Sequence, residues 1–290
     1  VTCHRLGRLV SGHPTILGAL VGMAIDAQAA QISEAIVLSG RLDRETARRF
    51  RAENERLPPI ADVARTVDRG ERLVTLDAAL NVAKGSAGAA PTGMPLPVSQ
   101  GLDQNVLLRE FNGLYDRFVA AIREPDYRKR ADRLDELRRA AGSASRPGTA
   151  EVALAVLFGS RTALTKQVAA VLAGLLLPAL DQVQVAEDRA VMRARLVRIG
   201  AALAEYRAAE GEFPETLDRL RPVYLNEIPE DFYAAAPPKY RRTGDGFLLY
   251  AVGPNGRDDG GASLGERQGG PETCDDIRFG ITPASTRSVR

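Results

Sequence analysis

The chain has no tryptophan, two cysteines, two histidines and four lysines. Each shortage narrows the chemistry. Cys3 and Cys274 lie at opposite ends of the sequence, and two thiols so placed dictate no disulfide. With only His4 and His13 beside them, the ligand spacing of a zinc site is missing. No Ser-His-Asp or Cys-His set is legible along the chain. A strong charge of either sign is lacking too: the net charge is +2, which points to no polyanionic partner. Of the 39 basic residues all but Lys84, Lys129, Lys166 and Lys239 are arginine, interleaved with acids as on solvated helix faces. Nucleic-acid binding is therefore not expected. Long hydrophobic runs are also missing. The longest, 168–180, is shorter than the ~20 residues of a bilayer crossing and contains Pro178, so it reads as a buried helix segment. The sequence opens on Val1 rather than Met, and the expectation is a native chain that begins further upstream with a signal or membrane anchor.

What the sequence does have is an acidic, glycine-rich stretch near its end. Residues 247–252 (FLLYAV) read as a short strand, 253–261 (GPNGRDDGG) as a turn-rich loop, and 274–277 (CDDI) as its return. A hard cation such as Ca2+ takes about six to eight oxygen ligands from carboxylates, amides and carbonyls. Asn255, Asp258, Asp259, Asp275 and Asp276 supply such oxygens, and Gly253, Gly256, Gly260 and Gly261 allow the sharp turns that aim them inward. Two aspartate pairs gathered without a cation would repel. The competing reading is an exposed turn whose acids face water. The alternating ligands and final Glu of an EF-hand are missing.

Apolar spacing predicts helices over most of the remaining chain. Residues 1–12 form a first helix, broken at Gly12-His13-Pro14. A long one runs from Thr15 to about Ser39-Gly40, and His13 reads as a turn or capping residue rather than a proton carrier. Asp43 caps a charged helix over 44–56, and helical spacing resumes over 60–84. There Glu71 and Asp77 read as ion-paired or solvated acids rather than an acid/base pair. Residues 85–101 and 142–148 read as loops. Asp103 caps a helix carrying the stripe Phe111, Tyr115 and Phe118, read as core rather than as a ligand cavity. A charged helix follows over 126–141, then one capped by Thr149 through Phe158. From near Ala163 a helix runs to about Ala209, with a kink at Pro178. Residues 239–242 and 247–252 pair as an antiparallel hairpin, 277–279 add a third strand, and 282 onward is a tail. The fold class is thus α+β and mostly α. A helical domain (1–165) is followed by a long helix and a small antiparallel sheet (166–290).

Several stretches recur in a familiar order: 202–214 (ALAEYRAAEGEFP), 217–220 (LDRL), 228–231 (IPED), then the strand, the loop and 275–277 (DDI). This order resembles the globular end of the major pseudopilins of type II secretion systems. The resemblance covers only the C-terminal part of the chain. It implies a calcium-binding loop in which Asn255 stands where the family has Asp, Asp275 and Asp276 match its paired aspartates, and the Val252 carbonyl faces the ion. Asn255 in place of Asp removes one charge, which Asp258 or Asp259 would restore. The whole layout resembles a group of uncharacterised planctomycete proteins with a membrane anchor, a helical domain and this pseudopilin-like end. The matching stretches are 14–17 (PTIL) through 24–27 (AIDA), Gly70-Glu71-Arg72, and 176–180 (LLPAL).

The expectation is a non-enzymatic interaction or scaffold protein of the periplasm or cell envelope, linked to secretion. Its acidic loop would be held by structural Ca2+ and its helical domain would meet a protein partner. The alternatives are a metal-dependent hydrolase using the acidic loop, and a helical protein that binds an apolar ligand along the Phe111, Tyr115 and Phe118 stripe.

Overall fold

A computed structural model describes residues 1–84, 102–144, 161–263 and 274–280. The expected loop over 85–101, the end of the one over 142–148, the helix capped by Thr149 and the tail from 282 lie outside these residues. The described fold is α+β and mostly α, with one long helix and one small antiparallel sheet.

The helices are α1 (Thr2–Ser11), α2 (Ile16–Ser39), α3 (Arg44–Glu55), α4 (Val63–Thr66), α5 (Arg72–Ala83), α6 (Gln104–Ile122), α7 (Tyr127–Ala144) and α8 (Arg161–Glu210). Local chemistry starts three of them. Asp43 accepts the Thr46 N–H, Asp62 the Arg65 N–H, and Asp103 the N–H groups of Asn105 and Val106. Each cap satisfies amides that the first turn leaves without an internal partner. The strands are β1 (Lys239–Thr243), β2 (Gly246–Ala251) and β3 (Ile277–Gly280), in spatial order β1-β2-β3 with both pairings antiparallel. Gly244, at φ 55°, makes the tight turn between β1 and β2.

Contacts group the chain into two compact units that interleave in sequence. One holds 1–12, 20–61 and 185–290; the other holds 13–19 and 62–184. Neither coincides with 1–165 or 166–290, because α2 and α8 each contribute to both.

In the second unit Tyr115 and Phe118 are fully buried, and the Tyr115 hydroxyl meets Thr75 Oγ1 at 2.7 Å. A five-residue π turn, Val67–Glu71, separates α4 from α5, where the spacing predicts uninterrupted helix. It brings Gly70 against Pro14, where a Cβ would stand 1.6 Å from the Pro14 carbonyl oxygen. Glu71 Oε2 then accepts the Ile16 N–H at 3.3 Å, an unpaired amide at the start of α2. His13 does the turn work expected of it, its Nδ1 accepting the Thr15 N–H.

In the first unit the second half of α8 packs on the sheet. Leu196, Ile199 and Leu203 are buried with Phe213, Phe247 and Phe279. The segment expected to be a buried apolar run is only partly so: Ala169, Leu177 and Leu180 are buried, but Leu175 is largely exposed. By length and composition α2 and α8 could each cross a membrane, and 39% and 33% of their apolar windows are buried. The core helix of a soluble protein passes the same test.

Candidate metal centre

The loop between β2 and β3 brings together three of the expected ligands. Carboxylate oxygens of Asp259, Asp275 and Asp276 lie within 4.8 Å of one another. Backbone amides set their positions. Asp275 Oδ2 accepts the Asn255 N–H at 3.0 Å, and Asp276 Oδ2 accepts those of Asp259 and Gly261 at 3.1 and 2.8 Å. Asp259 Oδ2 in turn accepts the Asp275 N–H at 3.3 Å. Gly256, Gly260 and Gly261 hold φ of 68°, 70° and 84°, the left-handed region where a side chain is strained, so the loop can curl around the acids.

The second oxygens of the two return-strand aspartates are the notable atoms. Asp275 Oδ1 and Asp276 Oδ1 are buried, and neither accepts a hydrogen bond among the described residues. The residues themselves are 7% and 2% exposed. Leaving a buried charged oxygen without a partner is costly. Burial pushes the Asp276 carboxyl up to about 6, helped by Asp259 and Asp258 nearby and opposed by the Gly261 and Asp259 amides. Asp275 is raised for the same first reason, with the Asn255 amide and Arg189 opposing.

Of the other expected ligands, Asp258 and Asn255 have side-chain oxygens engaged by other groups. Asp258 turns away, its Oδ1 accepting the Tyr250 hydroxyl at 2.9 Å and the Gly260 N–H at 3.0 Å, with Lys239 Nζ at 3.9 Å from Oδ2. The Asn255 side-chain oxygen accepts the Arg257 N–H at 2.7 Å, and its Nδ2 donates to Asp259 Oδ2 at 3.2 Å. Val252 is buried, and its N–H donates to Asp231 Oδ2 at 2.8 Å.

Two neighbours were not singled out in the sequence as site residues. Asp231 is buried and also accepts the Tyr233 N–H at 3.0 Å, so it pins the segment before β1 to the end of β2. Arg189 on α8 puts Nη2 3.8 Å from Asp275 Oδ2, a counter-charge too distant for a hydrogen bond.

The residues fit a hard cation. All the converging donors are oxygens, and a Ca–O distance of about 2.3–2.6 Å allows opposite ligands up to about 5 Å apart. The 4.8 Å spread of the three carboxylates lies inside that limit.

The structure also corrects the expectation that no Ser-His-Asp set exists. His4 Nδ1 lies 2.7 Å from Asp26 Oδ1, and His4 Nε2 lies 3.0 Å from Ser33 Oγ. The three are 1%, 2% and 3% exposed, and Ser33 lines none of the cavities described for this chain. The set therefore works as a buried hydrogen-bond chain that joins α1 to α2. Of the aromatic stripe, only Phe111 lines the groove of about 650 Å³ among α6, α7 and α8. Cys3 and Cys274 are both free thiols.

No family model, curated protein or solved structure matches the chain.

Proposed function

We propose that the chain is a non-enzymatic interaction or scaffold protein of the cell envelope, whose pseudopilin-like C-terminal end is held by structural Ca2+. The observation that carries this reading is the pair of buried oxygens, Asp275 Oδ1 and Asp276 Oδ1, that accept no hydrogen bond among the described residues, on two carboxylates that converge with that of Asp259. A divalent cation there supplies the positive charge that Arg189 offers only from 3.8 Å. The backbone amides of Asn255, Asp259 and Gly261 hold the carboxylates in place, so the loop is shaped before any ion arrives. Burial of the cluster favours a role in stability over catalysis, since a catalytic metal keeps an open position for substrate and water. The helical unit is left as the surface that meets a protein partner.

The test is a calcium titration read by melting temperature. Calcium at about 100 times its Kd adds about 2.7 kcal/mol to the stability of the bound state, and Tm is expected to rise by roughly 5 °C or more. EDTA reverses the rise. Asp275→Ala removes it and lowers Tm in calcium. A wild-type Tm unmoved by both calcium and EDTA overturns the reading. Unchanged stability of Asp275→Ala with loss of a metal-dependent hydrolysis would replace it with the catalytic alternative.

A further inference from the structure

A second cavity, of about 370 Å³, shares Asp276 with the acidic cluster but sets three arginines against two acids. Arg189 and Arg193 reach it from successive turns of α8, and Arg278 reaches it from β3. Ser263 adds a hydroxyl.

The acids in the lining are already engaged. Glu34 Oε1 accepts the Gly280 N–H at 2.8 Å, and Asp276 Oδ2 accepts two amides. Arg278 is engaged too, donating to the Gly261 carbonyl at 3.2 Å. Arg189 and Arg193 are engaged far less. Arg189 stands 3.8 Å from Asp275. Arg193 is half-buried and donates no hydrogen bond among the described residues.

A guanidinium carries five N–H donors, and withdrawing them from water without acceptors is costly. Burial and then Arg189 pull the Arg193 pKa below its ordinary value, while Asp26, Tyr233 and Glu34 act in the other direction without accepting a hydrogen bond from it. Arg189 and Arg193 therefore offer donors to an open space at the small end of the ~300–1,000 Å³ range of ligand pockets.

We propose that this cavity binds an oxyanion, with Arg193 and Arg189 gripping the phosphate or carboxylate group of a small ligand. Arginine suits both groups, because its planar fork meets two oxygens at once. The other carboxylate oxygen of Glu34, Oε2, favours a ligand with a donor at its far end. The inference does not rest on the calcium reading, since none of the three arginines is a cation ligand.

The experiment measures Tm and calorimetric binding in EDTA, with inorganic phosphate or succinate against chloride at matched ionic strength. At least one of the two anions is expected to raise Tm by several degrees above chloride. A response to phosphate alone assigns a phosphoryl ligand, and one to succinate alone a carboxylate. Arg193→Gln and Arg189→Gln are each expected to weaken binding tenfold or more, while Arg48→Gln, at an exposed position on α3, leaves it unchanged. If Arg193→Gln shows no cooperative melting, Arg189→Gln carries the test alone. Equal responses to chloride, phosphate and succinate overturn the proposal, and so does full binding by a folded arginine variant. With EDTA present, loss of the anion response is separate from loss of the calcium response.

Discussion

A Cβ on Gly253 would stand 2.1 Å from the carbonyl oxygen of Asp275 and 2.3 Å from its Oδ1. The backbone after β2 thus runs directly against one of the two oxygens that accept no hydrogen bond among the described residues. Gly253→Ala is expected to push Asp275 out of the cluster. The melting temperature should fall by several degrees, and the calcium-induced rise should shrink or vanish. Differential scanning calorimetry with and without calcium checks both. A variant as stable and as calcium-responsive as wild type would show that Asp275 is not held where the structure puts it.

The acidic cluster makes the metal-free protein sensitive to pH in a direction opposite to most surface carboxylates. Asp276 is pushed up to about 6, and Asp231 and Asp275 are raised as well, burial leading in each case. A folded-state pKa above the unfolded value means that the fold favours the neutral acid. The contribution is complete below the unfolded value, about 4, and is lost as pH rises through about 6. Asp43 and Asp126 are shifted down by N-terminal helix amides and act in the opposite sense, but only below the ordinary Asp range. In EDTA, Tm should therefore rise as pH falls from 7.5 to 5, and Asp276→Asn should flatten that slope. In saturating calcium the slope should invert, because protons then compete with the ion for the same oxygens.

Gly200 on α8 lies under the sheet, where a Cβ would fall 2.2 Å from the Phe279 ring. Phe279 is 1% exposed and stacks on Phe247 at a centroid distance of 6.3 Å, so the ring has nowhere to retreat. Gly200→Ala gains helix propensity of about 1 kcal/mol but overpacks this contact. The net effect should be a loss of about 1–3 kcal/mol. Gly113 on α6 is the control: nothing lies within 4 Å of its added Cβ, and Gly113→Ala should stabilise by up to about 1 kcal/mol. Denaturant unfolding of the two variants tests the contrast.

The elements written in short-range chemistry could be read from the sequence. Asp43 and Asp103 cap the helices that follow them, and the hairpin around Gly244 needs only a glycine turn between two short stretches, one polar (239–243) and one apolar (246–251). The 50-residue α8 also follows from apolar residues that recur at helical spacing, on a face that moves along its length. Features that depend on distant packing could not. His4, Asp26 and Ser33 are scattered over α1 and α2, and they meet because Gly7 and Gly22 let the two helices touch backbone to backbone. The π turn at Val67–Glu71 accompanies the close approach of Gly70 to Pro14, a residue distant in sequence.

The site divides along the same line. The glycines and acids of the loop marked its place, and Asp259, Asp275 and Asp276 do converge. Composition could not tell that neighbouring Asp258 and Asp259 point to different partners, or that Asp231 arrives from well before β1 to anchor Val252. Arg189 and Arg193 looked like two more residues of a solvated face. Only the return of β3 alongside α8 encloses them with Glu34 and Phe279.

The interleaving of the two units bears on how the chain is made. The unit that carries the sheet gathers residues 1–61, apart from 13–19, with residues 185–290. On a ribosome, α1 to α3 emerge early and wait through the synthesis of more than a hundred further residues for the helix and sheet that cover them. Closure over such a separation is slow, and apolar faces left uncovered meanwhile are where chaperones bind and aggregation begins. Cutting the gene at a midpoint would strand both halves in that unfinished condition.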